Sequence, residues 1–225
     1  MIIILTIYND IIIFISTMYN NKRFNKYNKM AYVSRVSQIS QLDNNHDRNK
    51  STRFNRLSRP NRGGIIVYTV YNGVFYFGLA IDAETHDLTD CGGAIDYNAG
   101  ETALQACIRE FSEETLNIFE TITEEQLRSC PVVYDEKNMI IFMHIAVDPN
   151  EVSCKLVERY KLIIDERSKG TRQRGKKLTK SPEVCGITWL TKESFEHSLQ
   201  TPGIIYSRVR KFLSQCSIKD LYCYL

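Results

Sequence analysis

Residues 92–118 read GGAIDYNAGETALQACIREFSEETLNI and carry the clearest helical pattern and the main acidic cluster of this chain. Apolar side chains recur along this stretch at the spacing of one helix face: Leu104, Cys107, Ile108 and Phe111. Glu110, Glu113 and Glu114 stand at i, i+3 and i+4 on another face. Like charges at this spacing repel by roughly 0.2–0.5 kcal/mol per pair, so the acids either stay solvated or bind a cation. Carboxylate oxygens on a rigid helix suit Mg²⁺ or Mn²⁺.

The same stretch resembles the Nudix box. In that motif a glycine and five further residues precede a Glu, and seven residues separate this Glu from an Arg-Glu pair. The motif continues with an apolar residue, any residue, Glu-Glu, any residue, glycine and an aliphatic residue. Five charged positions match in register: Glu101, Arg109, Glu110, Glu113 and Glu114.

Two positions depart from the motif. Gly93 precedes Glu101 by eight residues, and Ile95 stands where the motif has its first glycine, so the loop is two residues longer. Leu116 replaces the last glycine, and we expect Asn117 to take the left-handed conformation instead. Because both departures flank the helix, we expect the metal site to be retained with an altered loop near the substrate.

The resemblance implies hydrolysis of a pyrophosphate bond in a nucleoside diphosphate linked to another group, with Mg²⁺ or Mn²⁺ as cofactor. It implies that one to three cations are held by three catalytic acids: Glu110, Glu113 and Glu114. The general base is one of these acids or a more distant Glu. Structural support is implied for three further residues: Gly93, Glu101 and Arg109.

Nudix proteins often supply another acid from a loop before a late strand. Glu183, in SPEVCGITWL, is our first candidate for this additional metal ligand, and Glu136, in YDEKN, is the second. Each also fits an ordinary loop carboxylate.

The flanking sequence predicts strands mixed with helices. Residues 65–70 and 74–81 are apolar runs around Asn72-Gly73, a pair that favours a tight hairpin turn. Further strands are predicted at 131–134, 139–147 and 185–190, and helices at 102–115, 123–129, 151–166, 191–199 and 204–215. This mixture predicts an α+β or mixed-sheet α/β fold. The resemblance implies a Nudix-like α-β-α sandwich with a mixed β-sheet over residues 64–216, and we expect residues 217–225 to form a tail.

Charge divides the chain unevenly. Residues 1–63 carry 11 Lys/Arg and three Asp, whereas residues 64–225 carry 18 Lys/Arg and 23 acids. We therefore expect residues 1–63 to form a basic, flexible extension, either a solvated arm or an electrostatic contact for RNA or phosphate.

The first 18 residues are strongly apolar but are interrupted by Asn9 and Asp10. Three interpretations remain open: a weak membrane anchor, a pair of strands, or translated upstream sequence with true initiation at Met30. We expect an intracellular, cytoplasmic protein without a membrane partner, in the host cytoplasm or the virion if the source is viral, although anchoring by residues 1–18 stays open.

A second basic segment bears on the substrate. Residues 167–180 hold seven Lys/Arg and no acid, which predicts an exposed loop. It is either a solvated linker or a contact for substrate phosphates and RNA backbone, through Arg172, Arg174, Lys176 and Lys177.

The leading substrate hypothesis is the 5′ cap of mRNA, because Nudix proteins of large DNA viruses remove caps. This chain is similar to them in its basic extension and in its frequent Ile, Asn, Tyr and Lys, which suggest A/T-rich codons. Alternative substrates are ADP-ribose, diadenosine polyphosphates and damaged nucleotides. An inactive Nudix-fold module that binds RNA or nucleotide, and a basic RNA-binding protein with an incidental acidic helix, are further alternatives. No recognition of DNA sequence is expected.

The remaining sequence features favour structural roles. Seven cysteines form no C-x-x-C pair, and we expect buried or free thiols. Trp189 is expected in the core. Tyr97, Tyr134 and Phe142 could stack on a base, but core packing is the preferred interpretation.

Overall fold

The computed structural model of the protein describes residues 31–38, 60–170 and 181–225. The predictions for residues 1–29, for most of the basic extension and for the four basic residues at 172–177 lie outside the described residues. Within the described ranges, no helix has the length and apolar character needed to span a membrane.

Eight strands form one mixed sheet in the described part of the chain. They are β1 (Tyr32–Arg35), β2 (Arg62–Tyr71), β3 (Val74–Asp82), β4 (Leu88–Thr89), β5 (Cys91–Ala94), β6 (Pro131–Tyr134), β7 (Asn138–His144) and β8 (Val184–Thr191). The main order is β1-β6-β7-β2-β3-β4, while β5 also pairs with β2 and β8 with β3. The β2–β7 pair is parallel and the other named pairs are antiparallel.

The predicted hairpin joins β2 to β3. Tyr71 lies opposite Val74, and the two residues between them, Asn72 and Gly73, have φ angles of 50° and 74°. Positive φ at both positions matches the right-handed twist of the strands, and Asn-Gly adopts it at low cost. The prediction of this turn is confirmed.

Helices cover both faces of the sheet. They are α1 (Ala103–Glu114), α2 (Glu124–Arg128), α3 (Pro149–Gly170), α4 (Lys192–Gln200), α5 (Ser207–Leu213) and α6 (Ile218–Tyr222). Alternate residues of β2 serve the two faces: Ile65 packs in a core with α1, α2 and α3, and Ile66 packs in a core with α4, α5 and α6. This arrangement is an α-β-α sandwich and confirms the predicted fold class.

The ordered domain extends beyond the predicted range of 64–216. β1 pairs with β6, although its four residues were assigned to a flexible extension. At the other end, α6 places Leu221, which is fully buried, in the core although residues 217–225 were expected to form a tail. Both segments are too short to show an amphipathic period on their own, and long-range pairing and burial stabilise them instead.

Other boundaries shift for local reasons. β7 ends at His144 rather than at residue 147, and the Asp148 carboxylate accepts the Asn150 N–H at the start of α3. All seven cysteines lie in the described residues and are free, as expected, and three of them are buried.

Candidate active site

Helix α1 carries the acids predicted to bind metal. It begins after Thr102, whose hydroxyl accepts the Gln105 N–H while the Gln105 side chain accepts the Thr102 N–H. This capping box satisfies two backbone donors at the first turn. The apolar stripe of α1 packs against β2 and β5, and this packing fixes which way the acids point.

The helix ends in a Schellman motif centred on Leu116. The Asn117 N–H donates to Ser112 O at 2.9 Å, and the Leu116 N–H donates to Glu113 O at 3.1 Å. Leu116 occupies the position where glycine is usual, with φ of 55°, and Asn117 follows with φ of 56°. The left-handed conformation expected at Asn117 is therefore present, and Leu116 shares it.

Backbone strain and side-chain burial have opposite effects on stability at Leu116. Its backbone conformation costs roughly 1–2 kcal/mol for an L-residue with a side chain. Its burial is favourable, because only 7% of the residue is exposed. We expect Leu116→Ala to lose the burial and keep the strain, and Leu116→Gly to lose both. Leu116→Gly should therefore be more stable than Leu116→Ala by about 1 kcal/mol in urea unfolding. The usual order, with alanine more stable, would contradict this account of the helix end.

Arg109 links the acids of α1 to the preceding loop. Its Nε donates to Glu101 Oε1 at 2.7 Å and its Nη1 donates to Glu110 Oε1 at 2.7 Å. Nη1 also lies 3.7 Å from Glu113 Oε2, and Nη2 donates to Ala94 O at 3.1 Å. The hydrogen bonds from Arg109 hold the pKa of Glu101 below its usual value. Arg109 therefore forms an ion pair with Glu101, and its guanidinium lies between the carboxylates of Glu101, Glu110 and Glu113.

The longer loop before α1 is held by its own hydrogen bonds. The Asp96 carboxylate accepts the N–H groups of Asn98 and Ala99 in a single 3-10 turn, and Gly100 closes the turn with φ of 79°. Glu101 accepts the Asp96 N–H at 2.9 Å. The two additional residues therefore leave Glu101 in position to bind Arg109.

Gly93 has a steric role beside Glu110. A Cβ on Gly93 would clash with the Glu110 carboxylate unless that side chain moved. Gly93 therefore leaves room for the Glu110 carboxylate in the position that it takes beside β5.

Glu114 is the most buried of the three acids. Its exposed fraction is 9%, compared with 63% for the Glu113 side chain and 14% for that of Glu110. Its Oε2 accepts the Gly92 N–H at 2.8 Å. Burial and the charge of nearby Asp90 raise the pKa of Glu114 to about 9. The three acids therefore lie on one helix face but differ in their exposure to solvent.

A buried ion pair between Arg62 and Asp90 lies beside β5. Arg62 donates two hydrogen bonds to the Asp90 carboxylate, at 2.6 and 2.7 Å, with side-chain exposures of 11% and 0%. A third bond joins Arg62 Nη2 to Gly92 O at 2.9 Å. Gly92 is thus held through its N–H by Glu114 and through its carbonyl by Arg62. The sequence prediction missed this pair and counted Arg62 with the basic extension.

A cavity of about 340 Å³ opens beside Glu114. Glu183 lines it, as do Tyr206 and Arg208. The Glu183 carbonyl accepts the Ala83 N–H at 2.8 Å, which fixes the backbone at this end of β8. The structure therefore brings Glu183, the first candidate for a further acid, to the same cavity as Glu114.

Glu136, the second candidate, is exposed in the turn between β6 and β7 and does not line this cavity. The aromatic residues considered for base stacking lie in the core or pack against it. Phe142 is fully buried, and Tyr97, Tyr134 and Trp189 pack against the core that contains α1.

The described residues contain no group of three His, Cys, Asp or Glu side chains already arranged around one metal position. Glu110 bonds to Arg109, and Glu114 bonds to Gly92. The donor chemistry nevertheless fits a divalent cation, because Glu114 is buried beside the charges of Asp90 and Glu110, which disfavour its ionised form. A cation held by oxygen ligands would offset that repulsion.

Comparison with protein-family models gives no match, and neither does comparison with curated proteins. Among solved structures, the chain is similar to a Caenorhabditis elegans Ap4A hydrolase, at 18% identity over 70% of this chain and 95% of that one, with a TM-score of 0.35. A binary complex of a C. elegans Ap4A hydrolase has 17% identity over 73% and 98%, with a TM-score of 0.38. The NUDIX domain of Shewanella oneidensis NrtR, complexed with ADP ribose, has 13% identity over 76% and 91%, with a TM-score of 0.37.

Proposed function

We propose that the protein is a cation-dependent hydrolase of the Nudix type that cleaves a pyrophosphate bond in a nucleoside diphosphate linked to another group. The observation that carries this proposal is the placement of Glu114, a matched acid of the motif, in a cavity that also contains Glu183. Arg109 binds the two other acids of the helix at the adjoining surface.

The cation would be held by Glu110, Glu113 and Glu114, with Glu183 as a further ligand. Carboxylate oxygens are the ligands that Mg²⁺ and Mn²⁺ prefer. A bound divalent cation neutralises phosphate oxygens and lowers the pKa of water.

The side chains of the protein supply orientation and a proton acceptor. Arg109 is anchored by Glu101 and donates from Nη1 to Glu110 Oε1 at 2.7 Å, which limits rotation of the Glu110 side chain. The N–H of Gly92 fixes one oxygen of Glu114. Glu183, or one of the three helix acids, accepts the proton of the attacking water.

Substrate identity is the finer part of the proposal. We keep the 5′ cap of mRNA as the leading substrate, because two strongly basic segments, residues 1–63 and 167–180, suit a long polyanion. Within the second segment we propose phosphate contacts by Arg172, Arg174, Lys176 and Lys177. Small nucleotides such as ADP-ribose and diadenosine polyphosphates are the alternative, and the cavity volume is in the range of small-molecule sites. The proposal places the enzyme in the cytoplasm.

Product analysis tests the proposal. Purified protein is incubated with Mg²⁺ or Mn²⁺ and with capped RNA, ADP-ribose or a diadenosine polyphosphate, and Glu114→Gln serves as the control. We expect cleavage of at least one substrate at a pyrophosphate bond, lost on chelation and in the control variant. Release of methylated GDP from capped RNA alone assigns decapping, whereas cleavage of the small nucleotides alone rejects it. Cleavage of none of them would contradict the proposal and favour a binding module.

A further inference from the structure

We propose that Tyr206 and Arg208 form the nucleoside-binding side of the cavity, where Tyr206 stacks on the base and Arg208 pairs with a phosphate. This inference rests on the proposed function. Neither residue belongs to the motif, and both line the cavity that contains Glu114 and Glu183.

Charge identifies Arg208 as the phosphate contact. Two arginines line the cavity, and one of them, Arg62, is held by Asp90 and Gly92. Arg208 is exposed, and within residues 31–38, 60–170 and 181–225 it forms no ion pair. Its guanidinium can therefore bind a phosphate without breaking an ion pair. Arginine donates two parallel hydrogen bonds to a phosphate.

Tyr206 is an exposed ring on a fixed backbone. The Tyr206 N–H donates to Leu88 O at 2.7 Å, and the Leu88 N–H donates to Ile204 O at 2.9 Å. Between these bonds Ile205 pairs with Leu88 and is 1% exposed, so it anchors the segment in the core. Tyr206 itself is 45% exposed.

Burial explains why this tyrosine differs from the earlier aromatic candidates. Phe142 is enclosed, and Tyr97 donates its hydroxyl hydrogen to Pro60 O at 2.8 Å. Tyr206 is exposed and lines the cavity, and its backbone is already fixed by pairing with Leu88. Stacking on a base therefore costs little additional conformational entropy. Aromatic stacking on a base contributes about 1–3 kcal/mol.

Direct binding tests the inference independently of turnover. Binding of α,β-methylene-ADP, which resists hydrolysis, is compared with binding of methylenediphosphonate, which lacks the nucleoside, both with Mg²⁺. We expect Tyr206→Leu to weaken α,β-methylene-ADP about tenfold and to leave methylenediphosphonate within about twofold. Arg208→Gln should weaken both about tenfold. Lys211→Gln, an exposed cation on the same helix away from the cavity, should change neither.

The outcomes separate this inference from the proposed function. Unchanged binding in Tyr206→Leu and Arg208→Gln would overturn the inference, even if hydrolysis still depends on Glu114. Failure of the wild-type protein to bind either probe would also overturn it. Equal weakening by Lys211→Gln would show only general electrostatic attraction and would reject a specific role for Arg208. The proposed function fails separately, if Glu114→Gln leaves hydrolysis intact.

Discussion

Replacing Glu114 with glutamine should lower cation-dependent hydrolysis by about 10²–10⁴-fold while making the cation-free protein more stable at pH 8. Loss of activity follows from removing one negative ligand at the proposed cation position. The Gln side-chain oxygen can still accept the Gly92 N–H, so the loop should keep its position. Initial rates at saturating substrate and Mg²⁺ measure the first effect.

The stability gain follows from the pKa of about 9 in the folded protein, well above the ordinary carboxyl value of 4.5. Between these two values the folded state binds more protons than the unfolded state, so the free energy of unfolding falls as pH rises. At pH 8 the penalty in the wild-type protein is of the order of a few kcal/mol, and glutamine removes it.

Thermal unfolding tests this part of the prediction. Without cation, we expect Glu114→Gln to unfold several degrees above wild type at pH 8 and near wild type at pH 5. Excess Mg²⁺ or Mn²⁺ should raise the Tm of the wild-type protein more than that of the variant. A variant that is less stable at pH 8, or that gains as much from the cation, would remove Glu114 from the proposed site.

Breaking the Arg62–Asp90 pair should be the most destabilising change near the site. Arg62→Met leaves the Asp90 carboxylate, which is fully buried, without its partner and next to Glu114. Losing one member of a buried pair costs about 3–5 kcal/mol in the free energy of unfolding. Denaturation in urea, analysed as a two-state transition, measures this cost.

Two comparisons isolate the cause. Arg62→Met/Asp90→Asn removes both charges and should be more stable than Arg62→Met alone. Lys155→Met breaks the exposed pair of Lys155 with Glu151, whose side chains are 59% and 61% exposed, and should cost less than about 1 kcal/mol. If the double variant is no more stable than Arg62→Met, lost packing rather than an unpaired charge explains the effect.

The elements with a strong local pattern could be predicted from sequence. The Asn72-Gly73 hairpin combines two apolar runs with a clear turn signal, and α1 combines an apolar stripe with a capping box. Strand β5 has no such pattern, and its Gly92 is required by the close approach of the β2 backbone. Only the packed structure shows that requirement.

The candidate site was predictable where one helix carries it. Arg109 and Glu113 stand at i and i+4 on α1, so their proximity follows from helix geometry. Glu101 lies in the loop before α1, and helix geometry does not predict its contact with Arg109. The Arg62–Asp90 pair spans 28 residues, and Tyr206 reaches the cavity through pairing with Leu88. The different burial of Glu110, Glu113 and Glu114 depends on β5, which sequence spacing does not encode.

Hydrolysis in H₂¹⁸O, with the products identified by mass spectrometry, directly tests whether the protein cleaves a pyrophosphate bond with water. The substrate is whichever tested nucleotide or capped RNA is cleaved fastest. Water attack at a pyrophosphate bond predicts one ¹⁸O atom in a phosphate group of one product, in a reaction that requires Mg²⁺ or Mn²⁺ and is lost in Glu114→Gln. Products without ¹⁸O in phosphate, or an undiminished rate in Glu114→Gln, would contradict the account.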